Sequence, residues 1–250
     1  MTTAVGSLTG KVALVTGGSR GIGAGVAKRL AADGASVALT YANSKDLADE
    51  VVARIEAAGG TAFAIRADSA VEGDVIASVT ETVRRFGQLD ILVNNAGGGT
   101  FARLADMATS DIDRTLAVNV RAFILAIREA LKHLGPGGRI INIGSINAER
   151  VPFGGLSVYS ASKGAIAGLT KGLARELAPK GITINNVQPG PVNTDGNPAD
   201  GPAAPLMLNA MALDRFGDVG EIGAFVSLLA GPEGGYFTGA NLNIDGGFTS

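Results

Sequence analysis

The sequence predicts an α/β protein built on a doubly wound parallel sheet of about seven strands, with helices on both faces. Short apolar runs alternate with longer amphipathic segments from residue 11 to the end of the chain. Because these runs are apolar throughout, they are typical of strands that are covered on both faces. Parallel strands that alternate with helices are joined by right-handed crossovers, which give the doubly wound arrangement.

The first half of the chain contains four of the predicted strands, at residues 11–17, 36–41, 61–68 and 89–97. A helix follows the first strand, because Ile22, Val26 and Leu30 recur every four residues. That helix is expected to end near Asp33–Gly34, since glycine commonly follows the last turn of a helix. Similar apolar spacing predicts the next two helices, at 44–58 and 75–86.

The second half continues the alternation with three further strands, at residues 139–145, 182–190 and 240–245. The helices are expected at about 109–134, 156–177 and 219–229. The segment Pro191–Phe216 breaks this rhythm, because it holds four prolines and no sustained apolar period. Since it is longer than an ordinary connection, we predict that residues 191–216 form a loop that covers a substrate.

The composition restricts the class of protein. The chain has 250 residues, 46% of them hydrophobic, and no linker divides it, so a single domain over residues 1–250 is expected. There is no cysteine and one histidine, His133, which argues against a metal site and a thiol nucleophile. The net charge of −2 gives no reason to expect nucleic acid. No signal peptide or membrane-spanning run is recognisable, so a soluble cytoplasmic protein is expected.

Small or polar residues follow nearly every predicted strand. In an open doubly wound sheet, ligands bind beyond the carboxyl ends of the strands, where these residues lie. The first turn, TGGSRGIG, places Gly17, Gly21 and Gly23 where a backbone approaches a pyrophosphate and a helix begins. Its spacing is G-x-x-x-G-x-G rather than the common G-x-G-x-x-G, and a plain strand-to-helix turn is the alternative interpretation. The other turns contain Asp68, the sequence NNAG at 94–97, Ser145, and Pro189–Gly190.

Tyr159 and Lys163 lie four residues apart in SVYSASKGAI and therefore share one face of a predicted helix. A tyrosine is a weak acid at neutral pH because its ordinary pKa is about 10. A neighbouring ammonium lowers that pKa and allows the phenol to exchange a proton with a substrate. The alternative is a packed tyrosine beside a solvated lysine, and the pair alone does not decide between them.

Several motifs in the same order resemble the short-chain dehydrogenase/reductase family, whose single-domain members have a Rossmann-type sheet. They are TGGSRGIG, NNAG, Asn119 in AVNV, Ser145, YSASK and PGPVNT. The resemblance implies that Tyr159 is the general acid in carbonyl reduction and that Lys163 lowers its pKa and holds the nicotinamide ribose. It also implies that Ser145 hydrogen-bonds the substrate oxygen, and that Asn119 holds a water that links Lys163 to solvent.

The resemblance implies a dinucleotide cofactor, and the end of the second strand indicates which one. An acidic residue that binds the adenine ribose is expected about twenty residues beyond the glycine turn, but Tyr41 stands there. We therefore predict NADPH/NADP+ rather than NADH, with Arg20, Asn43 and Ser44 near the 2′-phosphate. Ser44 or Asn43 acting only as a helix cap is the alternative. The expected cofactor contacts are Gly17, Ser19, Arg20, Gly21, Ile22, Gly23, Tyr41, Asn43, Ser44, Asp68, Ser69, Asn95, Ala96, Gly97, Pro189, Gly190, Val192 and Thr194.

The predicted function is reversible hydride transfer between NADPH and a small carbonyl compound. Local resemblance to hydroxynaphthalene reductases and β-ketoacyl-carrier-protein reductases keeps the second of these activities open as an alternative. A dinucleotide-binding sensor without turnover is an alternative of another class. The residues expected to face the substrate are Gly98, Gly99, Ile146, Asn147 and Val151. Relatives of this size imply a homotetramer, paired through the helices at 109–134 and 156–177 and through the last helix and strand.

Overall fold

A computed structural model describes residues 7–250, and its centre is a parallel sheet of seven strands, as predicted. The strands are β1 (Val12–Val15), β2 (Ser36–Tyr41), β3 (Thr61–Arg66), β4 (Ile91–Asn94), β5 (Arg139–Ile143), β6 (Thr183–Pro189) and β7 (Asn241–Ile244). Their order across the sheet is β3-β2-β1-β4-β5-β6-β7.

The order of the strands reverses direction at β1, which pairs with both β2 and β4. Val15 lies opposite Leu39 on one side and opposite Val93 on the other. The chain therefore leaves β1 toward one edge of the sheet and returns at β4 to build toward the other edge. A crevice forms at such a switch point beyond the carboxyl ends of the strands, and ligands of open α/β sheets bind there.

Helices cover both faces of this sheet. They are α1 (Gly21–Ala32), α2 (Lys45–Ala57), α3 (Glu72–Phe86), α4 (Thr109–Leu116), α5 (Ala122–Ala130), α6 (Ser157–Leu177), α7 (Ala204–Leu208) and α8 (Val219–Ala230). Helices α1, α2 and α8 pack on one face, and α3, α5 and α6 pack on the other. None of these helices within residues 7–250 is long and apolar enough to cross a bilayer.

Alternate residues of the strands enter two separate hydrophobic cores. In β1, Leu14 joins the core beneath α3, α5 and α6, while Ala13 and Val15 join the core beneath α1 and α8. Strand β5 divides in the same way, with Ile140 on one face and Ile141 on the other. Burial on both faces explains why these strands are apolar throughout.

Two predicted helices differ from those in the structure. Helix α3 begins at Glu72 rather than at residue 75, because the acidic Glu72 and Asp74 favour the positive end of the helix dipole. The predicted helix 109–134 consists of α4, a π-helical turn at Ala117–Arg121, and α5, which ends at Ala130. The residue before Pro136 disfavours helical geometry, so turns lead the chain from α5 to β5.

Candidate active site

The glycine turn after β1 requires glycine at each of its three key positions. Gly17 and Gly21 have φ angles of 64° and 54°, in the left-handed region. A Cβ atom on Gly23 would lie 2.2 Å from the Gly17 carbonyl oxygen and 2.4 Å from Asn95 Nδ2. Larger residues are therefore excluded, and the backbone of the turn stays open toward the crevice.

Side chains at the carboxyl ends of β1, β2 and β4 hold this turn in place. The Thr16 hydroxyl accepts hydrogen bonds from the backbone N–H groups of Asn95 and Ala96, at 2.9 and 3.0 Å. Asn95 Nδ2 donates to the carbonyl oxygens of Thr16 and Gly17, and Gly17 N–H donates to Thr40 Oγ1. Asn95, one of the predicted cofactor contacts, thus holds the glycine turn with its side-chain amide. Thr16 and Thr40 were not among the predicted site residues. In the sequence, each is only a hydroxyl residue near the end of a strand, and that does not distinguish it from other threonines.

The N-terminus of α1 is suited to an anion. Arg20 occupies the N-cap position, and its side chain makes no capping hydrogen bond. Arg20 therefore leaves the first N–H groups of α1, from Gly21 to Gly23, without a capping side chain. Ser19, within the turn, is buried, whereas the Arg20 side chain is exposed. These features fit the pyrophosphate of a dinucleotide, because free N–H groups and the helix dipole both favour negative charge.

The turn after β2 leaves its polar groups available. Ser44 is the N-cap residue of α2, but it makes no side-chain cap, so the capping alternative is not what the structure shows. Asn43 is exposed and Tyr41 is partly exposed at the end of β2. Lys45 instead pairs with Asp49 on the next turn of α2, both of them exposed. The turn therefore presents hydroxyl and amide groups but no carboxylate where the adenine ribose is expected.

Asp68 and Ser69 follow β3 at the same edge of the sheet, partly exposed. Asp68 Oδ1 accepts a hydrogen bond from Ala70 N–H at 2.9 Å, and Asp68 Oδ2 lies 3.4 Å from Arg114 Nη2. Asp68 is thus fixed by its own turn and by α4. After β4, Gly97 is exposed, and a Cβ atom there would lie 3.4 Å from Lys163 Nζ.

Asn119 lies fully buried within the π-helical turn. Its Oδ1 accepts a hydrogen bond from Gly98 N–H at 3.0 Å, and its Nδ2 donates to Gly98 O and to Ser162 Oγ, both at 2.9 Å. Ser162 Oγ donates in turn to the Tyr159 carbonyl oxygen. Asn119 therefore ties the loop after β4 to the helix that carries Tyr159. Single π-helical turns of this kind within α-helices occur frequently at functional sites.

Ser145, Tyr159 and Lys163 converge at the carboxyl end of β5. Ser145 Oγ accepts from Asn147 N–H and donates to Asn147 Oδ1, at 3.1 and 3.2 Å, and it lies next to the Tyr159 side chain. Lys163 is 3% exposed, and its Nζ donates to the Ile143 carbonyl oxygen at 2.9 Å. Lys163 Nζ lies 5.7 Å from the centre of the Tyr159 ring. The structure thus brings together the three side chains that the sequence singled out.

The pKa values at this cluster are set mainly by burial. Burial raises the pKa of the Tyr159 phenol, and its hydrogen bond with Ser145 opposes this rise. Burial lowers the pKa of the Lys163 ammonium to about 8. The sequence-based expectation that Tyr159 has a lowered pKa is therefore wrong for this structure. Removing the phenolate from water outweighs the favourable effects of its neighbours.

Lys163 has capacity to bind a further group. An ammonium has three N–H donors, and the described residues provide one hydrogen-bond acceptor, the Ile143 carbonyl oxygen. The remaining donors fit the hydroxyl groups of a ribose, which is the role that the family resemblance implies.

The segment after β6 returns to the glycine turn. Thr194 lies above it, because a Cβ atom on Gly21 would be 3.4 Å from Thr194 Cγ2. Gly190 has no room for a Cβ atom, which would lie 2.6 Å from Asp245 Cα, and Val192 is buried. Pro189, the last residue of β6, is buried as well.

The residues expected to face a substrate fall into two groups. Gly98, Gly99 and Val151 are exposed, and Asn147 is partly exposed beside Ser145. Ile146 is only 3% exposed, so its side chain belongs to the interior rather than to a substrate surface. Its burial was not foreseeable, because an apolar residue after a strand is equally compatible with a core and with a binding site.

Known proteins resemble this chain over nearly its whole length. A family model described as enoyl-(acyl carrier protein) reductase matches residues 17–249. The chain is 46% identical over 244 residues to the cyclic-di-GMP-binding biofilm dispersal mediator protein of Escherichia coli, covering 98% of this chain and 99% of that protein. It is 38% identical over 255 residues to tetrahydroxynaphthalene reductase of Pyricularia oryzae, covering 96% and 90% of the two chains. It is 40% identical over 240 residues to 3-oxoacyl-(acyl-carrier-protein) reductase of Staphylococcus aureus, covering 95% and 97%.

Solved structures agree with these relatives. A short-chain dehydrogenase/reductase from Serratia marcescens is 55% identical, with a TM-score of 0.96, and the match covers 98% of this chain and all of that one. A short chain dehydrogenase from Burkholderia cenocepacia in complex with NADP is 53% identical with the same TM-score and coverage. The sequence-based recognition is confirmed: the chain belongs to the short-chain dehydrogenase/reductase family of oxidoreductases.

Proposed function

We propose that this protein is an NADPH-dependent reductase that transfers hydride reversibly to a small ketone, with Tyr159 as the general acid. The observation that carries the proposal is the convergence of Tyr159, Ser145 and Lys163 beside an uncapped helix N-terminus and a glycine turn. The turn and α1 are suited to the pyrophosphate, and the carboxyl end of β5 holds the groups that handle a proton. The relative from Burkholderia cenocepacia, whose structure contains NADP, supports the same cofactor.

Ser145 and Tyr159 have different roles at the substrate oxygen. Bound reduced nicotinamide supplies the hydride, and the carbonyl oxygen of the substrate then gains negative charge. The Ser145 hydroxyl turns from Asn147 to donate to this oxygen, and the Tyr159 phenol gives it a proton. Because burial raises the pKa of Tyr159, the phenol stays protonated at neutral pH, which is the state that carbonyl reduction requires.

Lys163 and Asn119 assist Tyr159, the proposed general acid. Lys163 holds the ribose hydroxyl groups with the N–H donors that Ile143 leaves free, and its positive charge stabilises the phenolate after proton transfer. Asn119 fixes the Gly98 backbone and, through Ser162, the turn of α6 that carries Tyr159. Its predicted role in holding a water between Lys163 and solvent is part of this proposal.

Replacing the phenol tests the proposal directly. Tyr159→Phe should bind NADPH as tightly as the wild type while losing nearly all turnover, because Ser145 hydrogen-bonds the alkoxide without giving it a proton. Ser145→Ala should reduce kcat by roughly 10² or more, as does the loss of other oxyanion donors. Tyr236→Phe, at a fully exposed tyrosine, is the matched control and should leave kcat unchanged. A Tyr159→Phe enzyme with near wild-type kcat would show that Tyr159 is not the acid.

Reduction of a carrier-bound β-ketoacyl group is a second candidate, which the relative from Staphylococcus aureus supports. An acidic carrier protein would need an available basic residue beside the substrate-facing residues, and Arg150 precedes Val151. Arg150 hydrogen-bonds the Phe248 and Ser250 carbonyl oxygens and packs against the Phe248 ring. It is therefore engaged within the chain rather than free to meet an acidic carrier protein. Steady-state assays with the carrier-bound and the free ketone distinguish the two substrates.

A dinucleotide sensor without turnover is the candidate from another class. The relative from Escherichia coli is named for cyclic-di-GMP binding, and this chain matches 99% of its length. Calorimetric titration with cyclic-di-GMP and with NADPH, followed by ketone turnover with the same preparation, separates these functions. We expect NADPH binding with turnover. Binding of cyclic-di-GMP by a preparation that reduces no ketone would favour the sensor.

A further inference from the structure

We infer that Phe101 is a specificity-determining residue that selects ketones carrying an aryl group next to the carbonyl. The inference rests on the proposed reductase function and deepens it. It arises from an aromatic ring that is 64% exposed and still contacts Tyr159. The centres of the two rings are 5.6 Å apart, and their planes meet at 85°, the edge-to-face arrangement that aromatic pairs prefer.

The backbone on both sides of Phe101 is fixed by other parts of the site. Asn119 holds Gly98 through its N–H and its carbonyl group. On the other side, Ala102 N–H donates to the Gly155 carbonyl oxygen at 3.1 Å, just before α6 begins. Phe101 therefore stands between two anchored positions, and the anchors belong to the helices that carry Asn119 and Tyr159.

Gly98 and Gly99, which lie three and two residues before Phe101, leave space beside Tyr159. A Cβ atom on Gly98 would meet nothing within 4 Å, and one on Gly99 would lie 3.7 Å from Tyr159 Cδ2. The ring of Phe101 thus borders an open region next to the phenol.

The position of the ring indicates the chemistry that it recognises. A substituent of the bound ketone that occupies the open region beside Tyr159 meets the exposed ring of Phe101. A planar aryl substituent can pack on the exposed part of the ring with the geometry of an aromatic pair, whereas a saturated ring of the same size gains only apolar contact. Phe101 should therefore favour the aryl ketone over its saturated analogue.

The test compares acetophenone with cyclohexyl methyl ketone, which differ in the aromaticity of the ring. Phe101→Leu keeps an apolar side chain but removes the aromatic face, so the ratio of kcat/KM for acetophenone to that for cyclohexyl methyl ketone should fall roughly two- to tenfold. Phe101→Ala should lower kcat/KM for both ketones. Leu104→Ala, at an apolar residue that is 61% exposed three positions along the chain, should leave the ratio unchanged.

The possible outcomes separate the inference from the proposed function. An unchanged ratio in Phe101→Leu, or a wild type that reduces only cyclohexyl methyl ketone, overturns the role of Phe101 and leaves the reductase function intact. Loss of NADPH binding in Phe101→Leu also overturns it, because the residue would then act on the cofactor. A wild type that binds NADPH but reduces neither ketone contradicts the proposed function and the inference with it.

Discussion

The Lys163 ammonium lies in the protein interior with a single hydrogen-bond acceptor among the described residues, the Ile143 carbonyl oxygen. Burial lowers its pKa to about 8, whereas the unfolded chain has the ordinary value of 10.5. Between these two pH values the unfolded state binds more protons, so the free energy of unfolding rises with pH. Below pH 8 the buried charge opposes folding by about 3 kcal/mol at most.

A substitution should reveal this cost. Lys163→Met keeps the length of the side chain, and at pH 7 we expect it to be more stable than the wild type by up to about 3 kcal/mol. The difference should shrink as the pH rises from 8 toward 10.5, which urea unfolding at several pH values measures. Lys171→Met, at an exposed position of α6, is the control and should show no such trend. A stability difference independent of pH would contradict the lowered pKa.

Tyr41 should determine the choice between the two nicotinamide cofactors. An aspartate at this position would repel a 2′-phosphate by up to about 4 kcal/mol at 4 Å in an effective dielectric near 20. We expect the wild type to prefer NADPH, and Tyr41→Asp to shift kcat/KM toward NADH. Tyr41→Asn, which is similar in shape to the aspartate but uncharged, should retain the NADPH preference. A wild-type preference for NADH would show that the absence of an acid at this turn has been misinterpreted.

At the scale of elements, the close contact between α1 and the glycine turn requires that position 23 has no side chain. Gly23→Ala would place a Cβ atom 2.2 Å from the Gly17 carbonyl oxygen, so the turn must move. We expect a loss of about 3 kcal/mol in the free energy of unfolding, with weaker NADPH binding. Gly73→Ala in α3 is the matched control, because its Cβ atom meets nothing within 4 Å. It should be neutral or more stable by up to about 1 kcal/mol. Equal stability of the two variants would contradict the role given to Gly23.

Apolar spacing was sufficient to predict the strands and most helices, but not α7, which lies within the predicted loop 191–216, nor the break between α4 and α5. The π-helical turn at Ala117–Arg121 adds a residue to one turn, yet the apolar residues around it still recur at helical spacing. The π-helical turn contains the buried Asn119, whose side chain hydrogen-bonds the Gly98 carbonyl oxygen. A pattern of apolar residues contains no information about such a long-range polar contact. Asn119 was therefore predicted by family resemblance, whereas its hydrogen-bond partners were not predicted.

For the whole molecule, the doubly wound parallel sheet and the end of the strands at which ligands bind followed from alternating strands and helices. The direction of the pKa shift at Tyr159 did not, because it depends on how deeply the ring is buried, which only the packed structure shows. The same limit applied to Ile146 and to Arg150, whose surroundings are set by residues distant in the sequence. Residue types and their order thus predicted where the site lies, and packing determined how its groups titrate.

The exposed apolar side chains on the outer surface bear on assembly. Leu116 and Ile124, on α4 and α5, are 40% and 44% exposed, and Leu228 and Tyr236 are exposed near β7. They lie on the two surfaces predicted to pair in a homotetramer. Light scattering should give a mass of about 100 kDa, four times the chain mass of 25.1 kDa. Ile124→Glu should give a smaller species, since an unpaired charge disrupts an apolar interface. A stable wild-type monomer would contradict the tetramer.

The segment between β6 and α8 leaves the sheet and returns to it at nearly the same point. Val192 forms a bridge with Gly217, Gly217 N–H donates to Pro191 O, and Asn193 N–H donates to Gly217 O, both at 2.9 Å. Because backbone groups close the base, the strands do not depend on the length of what lies between. Adding residues to such a loop has a small entropic cost that grows only with the logarithm of its length. This segment can therefore be exchanged for that of a relative as a unit, while the sheet and the side chains at the carboxyl end of β5 stay as they are.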